Sequence, residues 1–280
     1  MMREIEMMRV KGVYELVNRP VDKNVVGSKW VFAPKFDGEG SLTSRKARIV
    51  AQGFTQVQRV DFEETYAATA CLESFQLLLA IVASKNLHLW QLDFVAAYLN
   101  SNINFDVYME QPEGFVEGEE REKVWKLHKT LYGTMQGGHD WFKILSKVYQ
   151  ELGYHQSRAE PTVRTRCTRD GKFMIICTYT DDTLGGSSEE NEAVKAKQEL
   201  KERFEVKVMP DIEHMLEIKV EKVTEGIRIS QKAYALRTLE KFGIIDCKSK
   251  STPLPVGLSL LTSDSPTNDE EIAEIRKVPY

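Results

Sequence analysis

Three aspartates at the ends of apolar strands constrain this chain more than any other feature. Leu87 to Phe94 reads as a strand ending at Asp93. Phe173 to Thr180 reads as a second strand, followed by an Asp181-Asp182 turn and a return strand from Thr183 onward. An aspartate closing an apolar strand puts charge where a sheet meets solvent. If the two strands are neighbours, three carboxylates converge on one spot, and like charges that close do not stay ionised without cations. Mg²⁺ meets that need, because it prefers hard oxygen ligands and keeps waters that phosphate oxygens can replace. Two such ions about 4 Å apart can activate a 3′-hydroxyl and stabilise a leaving pyrophosphate, which suits nucleotidyl transfer. Adjacent aspartates also serve plain turn chemistry, so the spacing alone leaves both readings open.

The rest of the chain surrounds these strands with irregularly interleaved elements. Val25 to Lys35, the hairpin signal Asp37-Gly38-Glu39-Gly40 and Arg45 to Ala51 read as a β-hairpin. Glu73 to Lys85 reads as a helix with Phe75, Leu78, Leu79 and Val82 on one face. Glu117 to Lys123 reads as a charged surface loop. His139 to Leu152 reads as a helix with a Trp141, Leu145, Val148 and Leu152 stripe, and Gly153 suits the position after its end. Ser187 with Glu190 resembles a capping box opening a helix to about Phe204. Leu216 to Val220 and Ile227 to Ile229 flank Thr224-Glu225-Gly226 as a second hairpin, and Gln231 to Phe242 reads as a last helix closed by Gly243. From Ser251 onward the chain is rich in Pro, Ser, Asp and Glu and reads as loosely ordered. This order predicts an α+β fold with a mixed or antiparallel sheet rather than a Rossmann arrangement.

Composition narrows the function classes. The 280 residues are 42% apolar and 29% charged, as in ordinary globular proteins. No apolar run approaches the roughly 20 residues that span a bilayer, so no membrane partner is expected. Met1 to Glu6 has no signal-peptide core, and the expected location is intracellular, in a cytoplasmic particle or the nucleus. Cys71, Cys167, Cys177 and Cys247 lie far apart without a CxxC pair, which argues against structural zinc and a disulfide framework. The net charge of −4 counts mildly against nucleic-acid binding, although local clusters can still form a positive channel.

Eight or so collinear blocks carry a family resemblance. They are Val26-Gly27-Ser28-Lys29-Trp30-Val31-Phe32, Lys46 to Gln56, Gln91-Leu92-Asp93, Ala97-Tyr98-Leu99-Asn100, Tyr108 to Phe115, Leu131-Tyr132-Gly133, Tyr179-Thr180-Asp181-Asp182 and Thr252-Pro253. In that order they resemble the copia-type reverse transcriptases of LTR retrotransposons. The resemblance implies a right-hand polymerase fold over residues 12–255, with fingers, palm and a partial thumb, and a truncated tail at 256–280. By resemblance Asp93, Asp181 and Asp182 are the catalytic, metal-binding carboxylates for two Mg²⁺, with Mn²⁺ as a substitute. Tyr98 would abut the sugar of an incoming nucleotide and clash with a 2′-hydroxyl. Lys46 and Arg48 would meet the triphosphate, the guanidinium as a bidentate clamp and the ammonium as a point charge. Gly133 falls in the nucleotide site, and Leu216 with Glu217 in the primer-contacting turn. The implied partners are an RNA or DNA template with primer and deoxynucleoside triphosphates. The ribonuclease H and integrase regions of a Pol polyprotein are expected to be missing from this chain. Trp30 and Trp125 read as core residues rather than stacking platforms.

Several positions depart from the family pattern. Thr134-Met135-Gln136-Gly137-Gly138-His139 stands where Leu-Lys-Gln-Ala-Pro-Arg is usual, and Ala67-Ala68 replaces Ser-Pro. Thr180 replaces a valine, and Glu217 replaces a glycine at a position suited to φ > 0. Two other readings therefore stand beside template-directed polymerisation: a catalytically decayed remnant, and a nucleic-acid-binding module that keeps the cleft without the chemistry. An unrelated Mg²⁺ phosphohydrolase is the remaining alternative.

Overall fold

The computed structural model describes residues 1–36, 42–116, 121–209, 214–216, 218–252, 257–259 and 261–276. The chain opens with helix α1 (Met2–Val10) and strands β1 (Tyr14–Asn18), β2 (Val25–Val26), β3 (Ser28–Phe36) and β4 (Leu42–Ala51). Helix α2 (Leu72–Ser84) leads into β5 (His88–Phe94), a 3₁₀ turn at Ala97–Asn100, and strands β6 (Tyr108–Met109) and β7 (Lys123–Leu127). Helix α3 (Gly137–Glu151) is followed by β8 (His155–Gln156), β9 (Val163–Cys167), β10 (Phe173–Tyr179) and β11 (Asp182–Ser187). Then come α4 (Glu190–Lys201), β12 (Val206–Met209), β13 (His214–Met215), β14 (Ile218–Val223), β15 (Gly226–Ser230), α5 (Lys232–Lys241) and α6 (Asp269–Ile275).

A six-stranded antiparallel sheet in the order β12-β5-β11-β10-β9-β8 positions the aspartates. Its two faces follow from the period of two along each strand. Trp90, Leu92 and Phe94 of β5 join Met174 and Ile176 of β10 in a core with Trp141, Leu145 and Val148 of α3 and Ala193, Ala196 and Leu200 of α4. The opposite face is covered by α2, whose Phe75, Leu78, Leu79 and Val82 are at most 3% exposed. Burying each such side chain stabilises the fold by roughly 1.5–3 kcal/mol. Val82 lies so close to β11 that a Cβ on Gly186 would sit 2.6 Å from it. Glycine is thus what lets α2 approach the sheet.

A second core lies under a four-stranded sheet, β1-β7-β6-β2, in which only the β2–β6 pair is parallel. Ile5 and Met8 of α1 pack into it with Ile49, Met109, Trp125, Leu127 and Leu131, and Tyr14 stacks on Trp125 at 3.6 Å. Trp125 is therefore a core residue. Trp30 is tied down by its indole N–H, which donates to the Glu113 carbonyl at 3.0 Å. Strands β3 and β4 pair as a long hairpin, as the sequence predicts, with its turn at 37–40 outside the described residues.

Several expectations need correction. The tight turn is Thr180–Asp181, and Asp182 is already the first residue of β11, paired with Tyr179. Ser187 is the last residue of that strand rather than a cap: its hydroxyl donates to the Glu189 carbonyl at 2.8 Å, and α4 begins without a side-chain cap. Lys123 opens β7 instead of closing a loop. Helix α3 starts at Gly137, two residues earlier than its apolar stripe suggests. The tail holds a short helix, α6, capped by Asn268, whose side chain accepts from the Glu271 N–H at 2.9 Å.

The chain divides into two compact units, residues 1–213 with 222–227, and residues 214–221 with 228–280. Residues 12–255, over which the family resemblance runs, include parts of both units. Within the smaller unit β13 pairs antiparallel with the start of β14 through His214↔Lys219 and Met215↔Ile218, and Gly243 (φ +65°) ends the segment after α5.

Candidate active site

The β10–β11 hairpin is built around a strained residue. Thr180, first of the two central turn positions, has φ +52° while Asp181 does not share the left-handed region. This is the pattern of a type II′ turn, where glycine is the usual occupant. A side chain there costs about 1–2 kcal/mol, and three contacts hold it. The Trp141 indole N–H donates to the Thr180 carbonyl at 2.7 Å. The Tyr98 hydroxyl hydrogen-bonds the Thr180 side chain. The Phe94 N–H donates to the Asp181 carbonyl at 2.8 Å. Below the turn the hydroxyls of Tyr149, Thr178 and Thr183 form a buried triangle with edges of 3.0–3.3 Å. No periodicity in the sequence signals that triangle.

The strand register brings two of the three aspartates together. Asp182 lies directly opposite Asp93 on neighbouring strands. Because the adjacent pair, Phe94 and Asp181, carries the hydrogen bond, Asp93 and Asp182 form the close, non-hydrogen-bonded kind of pair, with Cα atoms about 4.5 Å apart. By alternation both side chains leave the sheet on the α2 face, at its uncovered end. Lys207 of β12 is paired with Asp93 on its other side. Asp181, one residue along, belongs to the turn and lies within electrostatic reach of the Tyr98 and Tyr132 hydroxyls. Asp93 and Asp182 are cross-strand partners and Asp181 is the neighbouring residue in the chain; among the described residues no group of three His, Cys, Asp or Glu side chains is already gathered around one point. The two opposed carboxylates suit one shared hard cation, with Asp181 near enough in sequence to complete the set.

Around Asp181 stands an aromatic and cationic wall. Tyr98, on the 3₁₀ turn after β5, meets Tyr132 edge-on at 4.9 Å. The Arg48 guanidinium lies 5.1 Å from the centre of the Tyr132 ring, and its Nε is buried with no hydrogen-bond partner among the described residues. Burial, and then the Asp181 charge, push the Tyr132 hydroxyl up to about 12 despite Arg48, and raise Tyr98 as well. Sequence reasoning passed over Tyr132 as a site residue, although it is the central residue of the Leu131-Tyr132-Gly133 block. Lys46 sits further out on β4, opposite Ala33. Glu4 of α1 lies near both Lys46 and Arg48, with its carboxyl raised by burial and lowered by a bond to the Ile49 backbone and by those two cations.

Gly133 has a packing duty. At φ +86° its Cβ would fall 2.1 Å from the Ala51 carbonyl oxygen. The Tyr132 carbonyl accepts from the Ala51 N–H at 2.8 Å, and the Gly133 carbonyl from the Gly53 N–H at 3.1 Å. Gly133 thereby clips the Tyr132 segment to the end of β4. The departures from the family pattern interlock in a similar way. His139 contacts the Tyr66 carbonyl at 2.7 Å and the Glu64 carboxylate at 3.0 Å. Gly137 is packed so that a Cβ would lie 2.8 Å from Thr134 Oγ1. Leu216 takes the left-handed backbone (φ +52°) in the turn before β14, and Glu217 lies outside the described residues.

An antiparallel sheet with helices on both faces and opposed carboxylates beside a β-hairpin turn is a polymerase-like mixed α/β arrangement. Residues 11–256 match the family described as Reverse transcriptase (RNA-dependent DNA polymerase), and the chain belongs to that family as a fragment of the copia type. It is 33% identical over 282 residues to the retrovirus-related Pol polyprotein from transposon TNT 1-94 of Nicotiana tabacum, an alignment covering 100% of this chain and 21% of the relative. It is 29% identical over 235 residues to the Pol polyprotein from transposon RE1 of Arabidopsis thaliana, covering 84% of this chain and 16% of that protein. The chain thus spans about a fifth or less of these relatives' length. The solved foamy viral protease-reverse transcriptase in complex with double-stranded DNA overlaps 89% of this chain and 37% of its own, at 14% identity and a TM-score of 0.47. No helix among the described residues is long and apolar enough to cross a membrane.

Proposed function

We propose that this chain catalyses template-directed addition of deoxynucleotides to a primer 3′-end. The observation that carries the reading is the register placing Asp182 opposite Asp93, beside a turn whose Asp181 lies within electrostatic reach of Tyr98 and Tyr132, with Arg48 over the Tyr132 ring. The six-stranded sheet would be the palm and the β3–β4 hairpin the fingers, with part of a thumb following. Divalent metal held by Asp93, Asp182 and Asp181 would supply charge neutralisation at the reacting phosphate. The chain's own residues then position the reactants. Arg48, with an orphaned buried donor, clamps a phosphate oxygen of the incoming triphosphate, and Lys46 adds a point charge. Tyr98, held by Thr180 and Tyr132, presents a ring edge that excludes a 2′-hydroxyl. RNA or DNA template with primer and deoxynucleoside triphosphates are the substrates.

Primer extension on poly(rA)/oligo(dT) with Mg²⁺ or Mn²⁺ tests the reading. Extension that disappears in Asp93→Asn and Asp182→Asn supports it, and its absence from the parent refutes it. In an active chain Tyr98→Val should admit ribonucleotides more readily, and unchanged discrimination would remove Tyr98 from that role. The departures at Met135, Gly138 and His139 favour slow turnover, because small misplacements of the reactants cost on the order of a hundredfold in rate.

A further inference from the structure

Arg164 is a buried cation that the proposed chemistry does not use. It lies on β9, 2% exposed, with its guanidinium 5.5 Å from the centre of the Phe142 ring and 5.0 Å from that of Tyr149. One amino group donates to Ser146 Oγ at 2.6 Å. No carboxylate among the described residues pairs with it. An arginine remains charged in proteins, and a buried charge without a counter-charge is destabilising, so an anion would be well placed beside it.

The space around Arg164 has the matching chemistry. It lines a cleft of about 730 Å³ between α3 and the β8–β9 hairpin, together with Lys143, Lys147, Gln150, His155 and Gln156. Among the described residues no acidic side chain lines that cleft, although the protein as a whole carries −4. Lys143 and Lys147 are exposed and one helical turn apart, about 6 Å along α3. Asp140, a turn earlier, is the acid whose charge Lys143 feels. Arg164 and Phe142 also line a smaller cavity of about 140 Å³ reaching Tyr98 and Thr180. The two spaces adjoin across Arg164 and Phe142, one on the side of the strained turn and the other on the side of the lysines. Cations that track a backbone beside an aromatic surface are the means by which single strands are held.

We propose that this groove binds the phosphate backbone of single-stranded nucleic acid leading to or from the Thr180–Asp181 turn. Phosphates would lie at Arg164, Lys143 and Lys147, with His155 at the rim. The proposal rests on the polymerase reading only in that the strand bound is a template.

The test is the salt dependence of binding of a fluorescein-labelled oligo(rA) to the full chain, by anisotropy. Each phosphate of a single strand that a cation neutralises adds about 0.7 to the slope of log K against log[salt]. Lys143→Gln with Lys147→Gln, both on the surface, should therefore flatten the slope by about 1.4 and weaken binding at low salt. The control, Lys195→Gln with Lys201→Gln on α4, makes the same change in net charge and should leave the slope at the parent value. Equal slopes in parent and groove variant overturn the proposal, as does a parent that does not bind the oligonucleotide. Inorganic phosphate that binds the parent but not Arg164→Gln, with the oligonucleotide slope unaffected by the lysine changes, would make this a small-anion site and also overturn it. Primer extension is read separately: its absence sinks the polymerase reading and leaves the slope comparison standing.

Discussion

Replacing Asp182 by asparagine should stabilise the protein when divalent metal is removed. The strand register sets Asp182 and Asp93 face to face, with Cβ atoms about 5 Å apart. Two like charges at that separation repel by about 0.8 kcal/mol in a water-like medium and about 3 kcal/mol at an effective dielectric of 20. Both aspartates are half-buried at the open end of the sheet, and Lys207 beside Asp93 offsets part of the repulsion, so the lower figure governs. Asp182→Asn, which keeps the shape and removes the charge, should gain about 1 kcal/mol, or about 2–4 °C in Tm for a unit of this size. Thermal unfolding in EDTA and in Mg²⁺ measures the repulsion and its relief separately. In EDTA the variant should melt above the parent. At a Mg²⁺ concentration of about 100 Kd the parent should gain roughly 2.7 kcal/mol and overtake it. A variant that melts at or below the parent in EDTA, or that gains as much from Mg²⁺, would refute the idea that these carboxylates are held together for a cation.

Other perturbations follow from neighbouring contacts. Trp141→Phe removes the indole N–H that holds the Thr180 carbonyl at 2.7 Å; it should cost about 1–3 kcal/mol in chemical unfolding and slow extension at temperatures where the fold is intact. Gly133→Ala places a Cβ 2.1 Å from the Ala51 carbonyl at φ +86°, so it should lower Tm by at least the several degrees that about 1–2 kcal/mol of backbone strain implies. Because burial pushes the Tyr132 hydroxyl up to about 12 from an ordinary 10.0, the folded state keeps a proton that the unfolded chain loses. Its stabilisation is complete below about pH 10 and is lost as pH rises through about 12; Tyr132→Phe should therefore flatten alkaline unfolding over that window, as followed by circular dichroism. Met135→Lys with Gly138→Pro should raise primer extension, since Pro is tolerated in the first turn of α3 and a Cβ at Gly138 meets nothing nearer than Ala67 at 3.4 Å; equal rates in parent and variant would show that these departures are harmless.

The sequence alone determined the elements whose pattern is local and repeated. The Phe75, Leu78, Leu79 and Val82 face of α2 and the Trp141, Leu145 and Val148 stripe of α3 are buried as their spacing requires, because a helix must bury whichever face is apolar. The collinear motifs fixed the family over nearly the whole of residues 11–256. Tertiary structure decided everything carried by contacts distant along the chain. Two-residue strands such as Tyr108–Met109 and His155–Gln156 exist only because longer strands pair with them, and so short a segment has no period to read. Shifting the register by one residue would turn a strand's whole side-chain set to the other face, so the opposition of Asp93 and Asp182 came from sheet assembly, as did the single-residue offset that put Thr180, not Asp182, in the turn. The stack of Arg48 on Tyr132 and the burial of Arg164 between two rings join residues from separate blocks. A lone arginine in a strand gives no sign that it will be buried. That is settled only when the helix packs over it.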